Sequence, residues 1–313
     1  SDRILQPQIA QLANQVDDRG LQLAIQANMA TGTPGTSITA PLGYLTAGAK
    51  LKEAACPMGN WCMVINPAQE VAIVNGLVTY FNPSQEISRQ YRKGLMGTAF
   101  GFDWYMDQNV YTFTTGNYGA STPVMNGATV DGATSLVTDG WVGATNTVKA
   151  GDVLQVASVY AANPQNYRST GRLQDFLVTA DATADGGGNM TIPVSVWGEA
   201  LQSTGAYQNI TALPADGAAI TMFGAGAGSL AAISSIASPQ GVAFHPDFAT
   251  LVSADLYMPK GVDMGSRKSD KQLGFSMRYI RDYDGVTDQL ISRFDILFGW
   301  ALLRSELVCR VVT

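Results

Sequence analysis

Few residues of this 313-residue chain have the type and spacing that chemistry requires. The single histidine, His245, lies in Ala243-Phe244-His245-Pro246-Asp247. A His-based triad would have to use it, with a serine or cysteine nucleophile brought near. No Gly-x-Ser-x-Gly elbow is present, and a histidine ahead of proline reads as a turn residue. The cysteines are Cys56, Cys62 and Cys309. Their odd number argues against a disulfide framework, and the step from Cys56 to Cys62 is not a zinc-knuckle spacing. They read as small buried hydrophobes of a reducing compartment.

Carboxylates are a further source of chemistry, because two of them suffice for glycoside hydrolysis. Asp103 and Asp107 stand among aromatics in Gly101-Phe102-Asp103-Trp104-Tyr105-Met106-Asp107-Gln108, as in some sugar sites. Asp282, Asp284 and Asp288 gather around Asp284-Gly285, which is most simply turn chemistry. Asp181 to Asp185, followed by three glycines, resembles a calcium loop but lacks its terminal glutamate. Gly224-Ala225-Gly226-Ala227-Gly228 lacks both the Lys-Ser/Thr of a phosphate loop and dinucleotide-fold spacing, and reads as a connection. No catalytic, cofactor or metal constellation emerges, which points to a structural or binding role.

Composition agrees. Hydrophobic residues make up 46% and charged ones only 14%, with 33 glycines. This is not a disordered composition, and no run reaches the roughly 18 apolar residues of a membrane span. With a net charge of −6, general nucleic-acid binding through clustered Lys and Arg is not expected of the chain as a whole. So little charge on a chain of this size suggests that much polar, uncharged surface lies against other protein.

The elements that must carry these residues follow from periodicity. Residues 3–30 read as a helix through Ile9, Leu12, Val16, Leu23 and Ala27, weakened by Gly20 and stopped by Thr31-Gly32-Thr33-Pro34-Gly35. Residues 36–62 are mixed. Val64-Ile65 runs into Asn66 as N-cap, Pro67 at the first helical position and Gln69 closing a capping box, opening a helix over 67–81. A second helix covers 85–93. Residues 101–116 are extended, with Trp104, Tyr105 and Tyr111 expected in the core, or else as interface anchors.

From 120 to 225, short Val/Thr/Ile segments alternate with turns such as Asp131-Gly132 and Ala150-Gly151-Asp152. This is an all-β unit, a sandwich or barrel, inserted in a host domain. Residues 113–245 carry 3 basic and 8 acidic residues, most of the net charge. A long hairpin turning at Asp284-Gly285 has strands of about ten residues, and a strand over 307–312 ends the chain. Between these parts Ser266-Arg267-Lys268-Ser269-Asp270-Lys271 reads as a charged loop.

Taken together, several segments resemble one family. They are Ser269-Asp270-Lys271-Gln272-Leu273-Gly274 through Arg278, Asp295-Ile296-Leu297-Phe298-Gly299-Trp300 and Glu306-Leu307-Val308-Cys309-Arg310-Val311. Gly97 through Val110, Val242-Ala243-Phe244-His245-Pro246-Asp247 and Ala254-Asp255-Leu256 join them in the same order. The set is similar to the major capsid (coat) proteins of tailed phages of the P22 podovirus type. The resemblance implies an α+β, phage HK-97-type capsid (Johnson) fold with an inserted all-β domain. It implies a spine helix and peripheral segment over 1–44 and an axial segment with two helices over 45–119. The inserted domain would cover 120–225, and 226–313 would return to the axial and peripheral sheets.

The implied function is self-assembly, through hexamers and pentamers, into an icosahedral shell enclosing double-stranded DNA without sequence-specific binding. A scaffolding protein and a portal are the implied partners. No enzymatic activity, cofactor, metal or membrane is implied, and the place is the virion capsid, assembled in the host cytoplasm. Arg267, Lys268, Asp270 and Lys271 are candidate inter-subunit contacts, or a solvated turn. Family members carry roughly a hundred residues ahead of the spine helix, so with Ser1 in first place a missing N-terminal arm and extended loop are expected. Two alternatives stand beside this. One is a capsid decoration or tail component. The other is a virion-associated glycan-binding or glycan-cleaving β protein using Asp103 and Asp107.

Overall fold

The computed structural model describes residues 2–77, 97–225, 230–269 and 276–313. From the N-terminus the chain forms helix α1 (Asp2–Leu21), a 3-10 turn (Gln22–Gln26), strand β1 (Ala30–Gly32), helix α2 (Pro41–Glu53), strand β2 (Cys62–Ile65) and helix α3 (Pro67–Leu77). Strands β3 (Thr98–Ala99), β4 (Phe102–Met106) and β5 (Thr112–Thr114) follow. Next come β6 (Val124–Met125), β7 (Ser135–Asp139), β8 (Thr147–Val148), β9 (Val153–Val156), β10 (Tyr160–Ala162) and β11 (Ser169–Leu173). They continue as β12 (Phe176–Val178), β13 (Ala182–Thr183), β14 (Met190–Ser195) and β15 (Ile220–Met222). The rest are β16 (Ala237–Phe244), β17 (Ala249–Ala254), β18 (Met264–Ser269), β19 (Ser276–Asp284), β20 (Gln289–Leu302) and β21 (Val308–Val312). The chain is therefore mixed, mostly strand with few helices.

Two compact units result. One comprises Ser1–Leu21 with Ala249–Leu303, and the other Gln22–Phe248 with Arg304–Thr313. In the first, four antiparallel strands lie in the order β17-β20-β19-β18. The long β19–β20 hairpin pairs from Met277↔Ile296 out to Asp284↔Gln289. Alternation puts Tyr279 and Phe294 on one face, with ring centroids 4.8 Å apart, and the ion pairs of Asp295 with Arg278 and Arg293 on the other. Helix α1 lies against β20, where the Trp300 indole donates to the Val16 carbonyl at 2.8 Å. Gly20, read as a weak point, sits against that indole: a Cβ there would lie 2.9 Å from the ring.

In the second unit a mixed sheet runs β1-β21-β16-β2-β4-β3, with β5 also on β16. Helix α2 was missed in the mixed 36–62 stretch. Its buried Tyr44, Ala47, Gly48 and Leu51 have i, i+3, i+4, i+7 spacing, and Tyr44, Ala47 and Leu51 belong with Met63, Ile65, Phe102, Cys309 and Val311 to one core. The helix expected over 3–30 stays α-helical only to Leu21. Residues 22–26 tighten to 3-10 geometry, and Met29 and Ala30 are taken by pairing with β21, where the Arg310 N–H donates to the Met29 carbonyl at 2.8 Å. Asn66 caps α3 as expected, accepting from the Gln69 N–H at 2.8 Å. The Gln69 side chain closes no box. It donates instead to the Ile38 carbonyl at 2.7 Å and to the Tyr44 hydroxyl. The expected helix over 85–93 lies outside the described residues.

The expected all-β unit is a closed barrel. Six antiparallel strands lie in the order β15-β9-β12-β14-β7-β6. The ends then meet. Val124 bridges Ala219, Met125 N–H donates to the Ala218 carbonyl at 2.9 Å, and Ile220 N–H donates to the Pro123 carbonyl at 2.9 Å. Closure leaves no open edge. Leu136, Leu154, Phe176, Ile192 and Ile220 fill the interior, and Trp141 is anchored there by donating to Thr138 Oγ1 at 2.8 Å. Both ends of this segment attach to adjacent strands: Thr114 of β5 pairs with Ala237 of β16.

Candidate functional site: the barrel junction and the charged strand

The groups that suggested chemistry are each absorbed locally. His245 Nδ1 accepts the Asp247 N–H at 3.3 Å within the turn Pro246–Phe248. Burial pushes the Cys56 thiol up to about 11 and the Cys309 thiol to about 12, so neither is a thiolate nucleophile at neutral pH. All three cysteines are free. Asp103 accepts from Thr98 Oγ1 and Asp107 from the Asn109 N–H, each at 2.7 Å. Four residues of extended chain separate their Cα atoms by about 13 Å. Each carboxylate is held by a hydroxyl or an N–H of its own neighbourhood.

Asp185 turns back on its own loop, accepting the N–H groups of Gly187 and Asn189 at 2.8 Å each. Asp181 accepts from the Ala150 N–H at 2.8 Å, so the two do not face a common centre. Asp284 holds the hairpin turn through the Val286 N–H at 2.9 Å and Thr287 Oγ1 at 2.8 Å. Among the described residues no three His, Cys, Asp or Glu side chains come together as a metal site would need, and no helix is long and apolar enough to cross a membrane. Of the glycine run, Gly224 packs on Pro34, while 226–229 lie outside the described residues.

The charged segment is placed differently from its reading as a loop. Arg267 and Lys268 are exposed residues of β18, an edge strand of its four-stranded sheet among the described residues. Ladder pairing of Met264–Ser269 with Arg281–Ser276 makes it a strand, despite its polar sequence. Arg267 reaches the Leu256 carbonyl at 3.3 Å and Asp255 at 3.4 Å. Asp270 and Lys271 lie outside the described residues. Of the aromatics expected in the core, Trp104 packs edge-on against Tyr44 with centroids 4.9 Å apart, and Tyr111 is half-buried. Tyr105 is 57% exposed, because it follows Trp104 on a two-faced strand and points to the other side.

The most concentrated chemistry lies where the barrel meets the mixed sheet. The Lys50 ammonium of α2 pairs with Asp175, next to β12, and donates to the Ala30 carbonyl at 2.7 Å. Gln155 of β9 donates to the same carboxylate at 2.6 Å. Asn28 and Gln174 donate to the Asp175 carbonyl at 3.1 and 2.9 Å. Arg172 and Glu53 add an ion pair at 2.9 Å.

Nearby, Arg310 lies fully within β21, and burial lowers it to about 10, opposed chiefly by the charge of Asp152. Burial raises Asp152, against N–H donors from Lys149 at 2.7 Å and Gly116 at 3.2 Å. Tyr118 is held up by burial and the same carboxylate. Arg310, Asp152, Tyr118 and Gln240 line one small cavity. These groups bind the barrel to the sheet.

Sequence comparison decides what such a molecule is. The family profile described as "P22 coat protein - gene protein 5" matches residues 52–311. The chain belongs to the P22 coat protein family. Among solved structures it is similar to one titled "CUS-3 coat protein I-domain", with 21% identity and a TM-score of 0.24, over 34% of this chain and 97% of that one. The search of curated proteins found no match. In this coat protein, then, the role is a structural one in a phage capsid, and the buried junction is architecture. Sequence reasoning overlooked Lys50, Asp152, Asp175 and Arg310. One signal was available: an arginine inside Val308-Cys309-Arg310-Val311-Val312 is a cation in an apolar strand, and such a cation demands a buried partner.

Proposed function

We propose that this coat protein self-assembles through hexamers and pentamers into an icosahedral shell of HK-97 type that encloses a double-stranded DNA genome. Residues 1–44 supply the spine and peripheral segment, 45–119 the axial segment, 120–225 the inserted domain and 226–313 the returning strands. The observation that carries this reading is the barrel's attachment. A closed six-stranded barrel leaves the host sheet at Thr114 and returns at its ladder partner Ala237, as an inserted domain must if the host is to stay intact.

The shell is built by heterologous contacts that close into rings. The protein works without catalysis. A scaffolding protein and a portal are its partners, and assembly takes place in the host cytoplasm. With a net charge of −6 the chain holds the genome by containment, since phosphate binding needs clustered cations. Sedimentation of the natural full-length product, with negative-stain microscopy of the fast fraction, tests this. Closed shells or rings of six and five are expected. A monomer or trimer that persists with scaffolding protein added overturns it.

A further inference from the structure

The tip of the β19–β20 hairpin is apolar and uncovered. Val286 is 94% exposed, and Tyr283 and Leu290 beside it are more than half exposed. Around them stand Asp282, Asp284 and Asp288, none with a cationic partner among the described residues. The nearest arginines are already engaged: Arg281 with Asp263 at 2.8 Å, and Arg278 and Arg293 with Asp295.

The same sheet carries the opposite charge elsewhere. Strand β18 pairs only with β19, so its outer edge of N–H and C=O groups is open among the described residues, and Arg267 and Lys268 project from it. Lys268 lies opposite Met277, five to seven residues short of the tip carboxylates. At strand rise that is about 16–23 Å, and from Arg267, opposite Arg278, about 13–20 Å, in each case more than a Debye length at physiological salt, so tip and edge are largely screened from each other within one copy. The Arg267–Asp255 contact is a half-exposed surface pair that is easily exchanged.

We infer that the apolar, acidic hairpin tip of one copy docks on the basic β18 edge of a second copy of this chain. The contact is heterologous, patch to a different patch, which is the kind that closes into rings. Tyr283, Val286 and Leu290 supply the apolar centre, and the carboxylates meeting Arg267 and Lys268 set orientation and encounter rate. This rests on the proposed self-assembly and names one of its surfaces.

The test uses the natural full-length protein and light scattering, with sedimentation of the products. Arg267→Glu/Lys268→Glu and Asp282→Lys/Asp288→Lys each place like charges at the contact, and each alone should assemble roughly tenfold or more slowly. Circular dichroism checks that both variants are folded. Mixing the two restores opposite charges at every contact between unlike copies, and combining all four changes in one chain restores them at every contact, so both should recover assembly. Either reversed variant assembling like the wild type overturns the inference. So does a folded mixture and a folded quadruple variant that both stay unassembled. Failure of the wild type itself overturns the self-assembly reading first.

Discussion

Lys50 and Asp175 show what one residue does in this molecule. Both are largely removed from water, and the carboxylate also takes the Gln155 amide. Removing one partner leaves the other buried and unpaired. Lys50→Met should therefore cost about 3–5 kcal/mol in urea unfolding, while Lys50→Met/Asp175→Leu should recover much of that loss. Recovery would show that the pair specifies the junction more than it stabilises it.

Two other carboxylates give opposite pH signs. Burial works to raise Asp295, but hydrogen bonds and charge from Arg278 and Arg293 hold it below the ordinary range. Its contribution is present above the unfolded pKa of about 3.9 and is lost as pH falls through the lower folded value. The stability difference between wild type and Asp295→Asn should thus shrink on acidification below about pH 4, measured by thermal melts across pH. Burial raises Asp152, so its contribution runs the other way, full at low pH and lost as pH rises through the raised folded value.

At the scale of elements, turns and ladders fix where side chains meet. The Ala150-Gly151-Asp152 turn was legible as a turn, but not as the point that places Asp152 on the cavity it shares with Arg310. Gly151 has φ +99°, and a Cβ there would lie 2.4 Å from Ile25 Cγ1. Gly151→Ala should cost about 1–3 kcal/mol, seen as a lower denaturant midpoint. Helix α3 was readable from Asn66-Pro67 because capping is local. Helix α2 was not, because Gly43, Thr46 and Gly48 dilute its apolar stripe and only the sheet beneath completes the pattern. Strand β18 was unreadable for a related reason: Gly-Ser-Arg-Lys-Ser has no strand periodicity and is extended because β19 offers it a ladder.

At the scale of the whole molecule, local stability should follow closure. The barrel has every strand paired on both sides and a filled interior, while β18 is paired on one side and exposed at all six residues. Hydrogen exchange should be slowest for amides of β9, β12 and β14 and fastest, among ladder strands, for β18. If β18 becomes protected only in the assembled protein, that protection would mark the edge as covered by a neighbouring copy.

What the sequence by itself determined are the features set by neighbours along the chain: the cap at Asn66, the Asp284 turn, the alternating hairpin and the all-β character of 120–225. Low charge and unused carboxylates already pointed to a structural protein. Only the tertiary structure decided that the β unit closes as a barrel, that Met29 and Ala30 leave the helix for β21, and that Lys50 meets Asp175. Those outcomes rest on pairings between residues about ninety or more positions apart. A hydrogen bond or ion pair of that kind is chosen by the geometry of the packed elements and leaves no spacing to read.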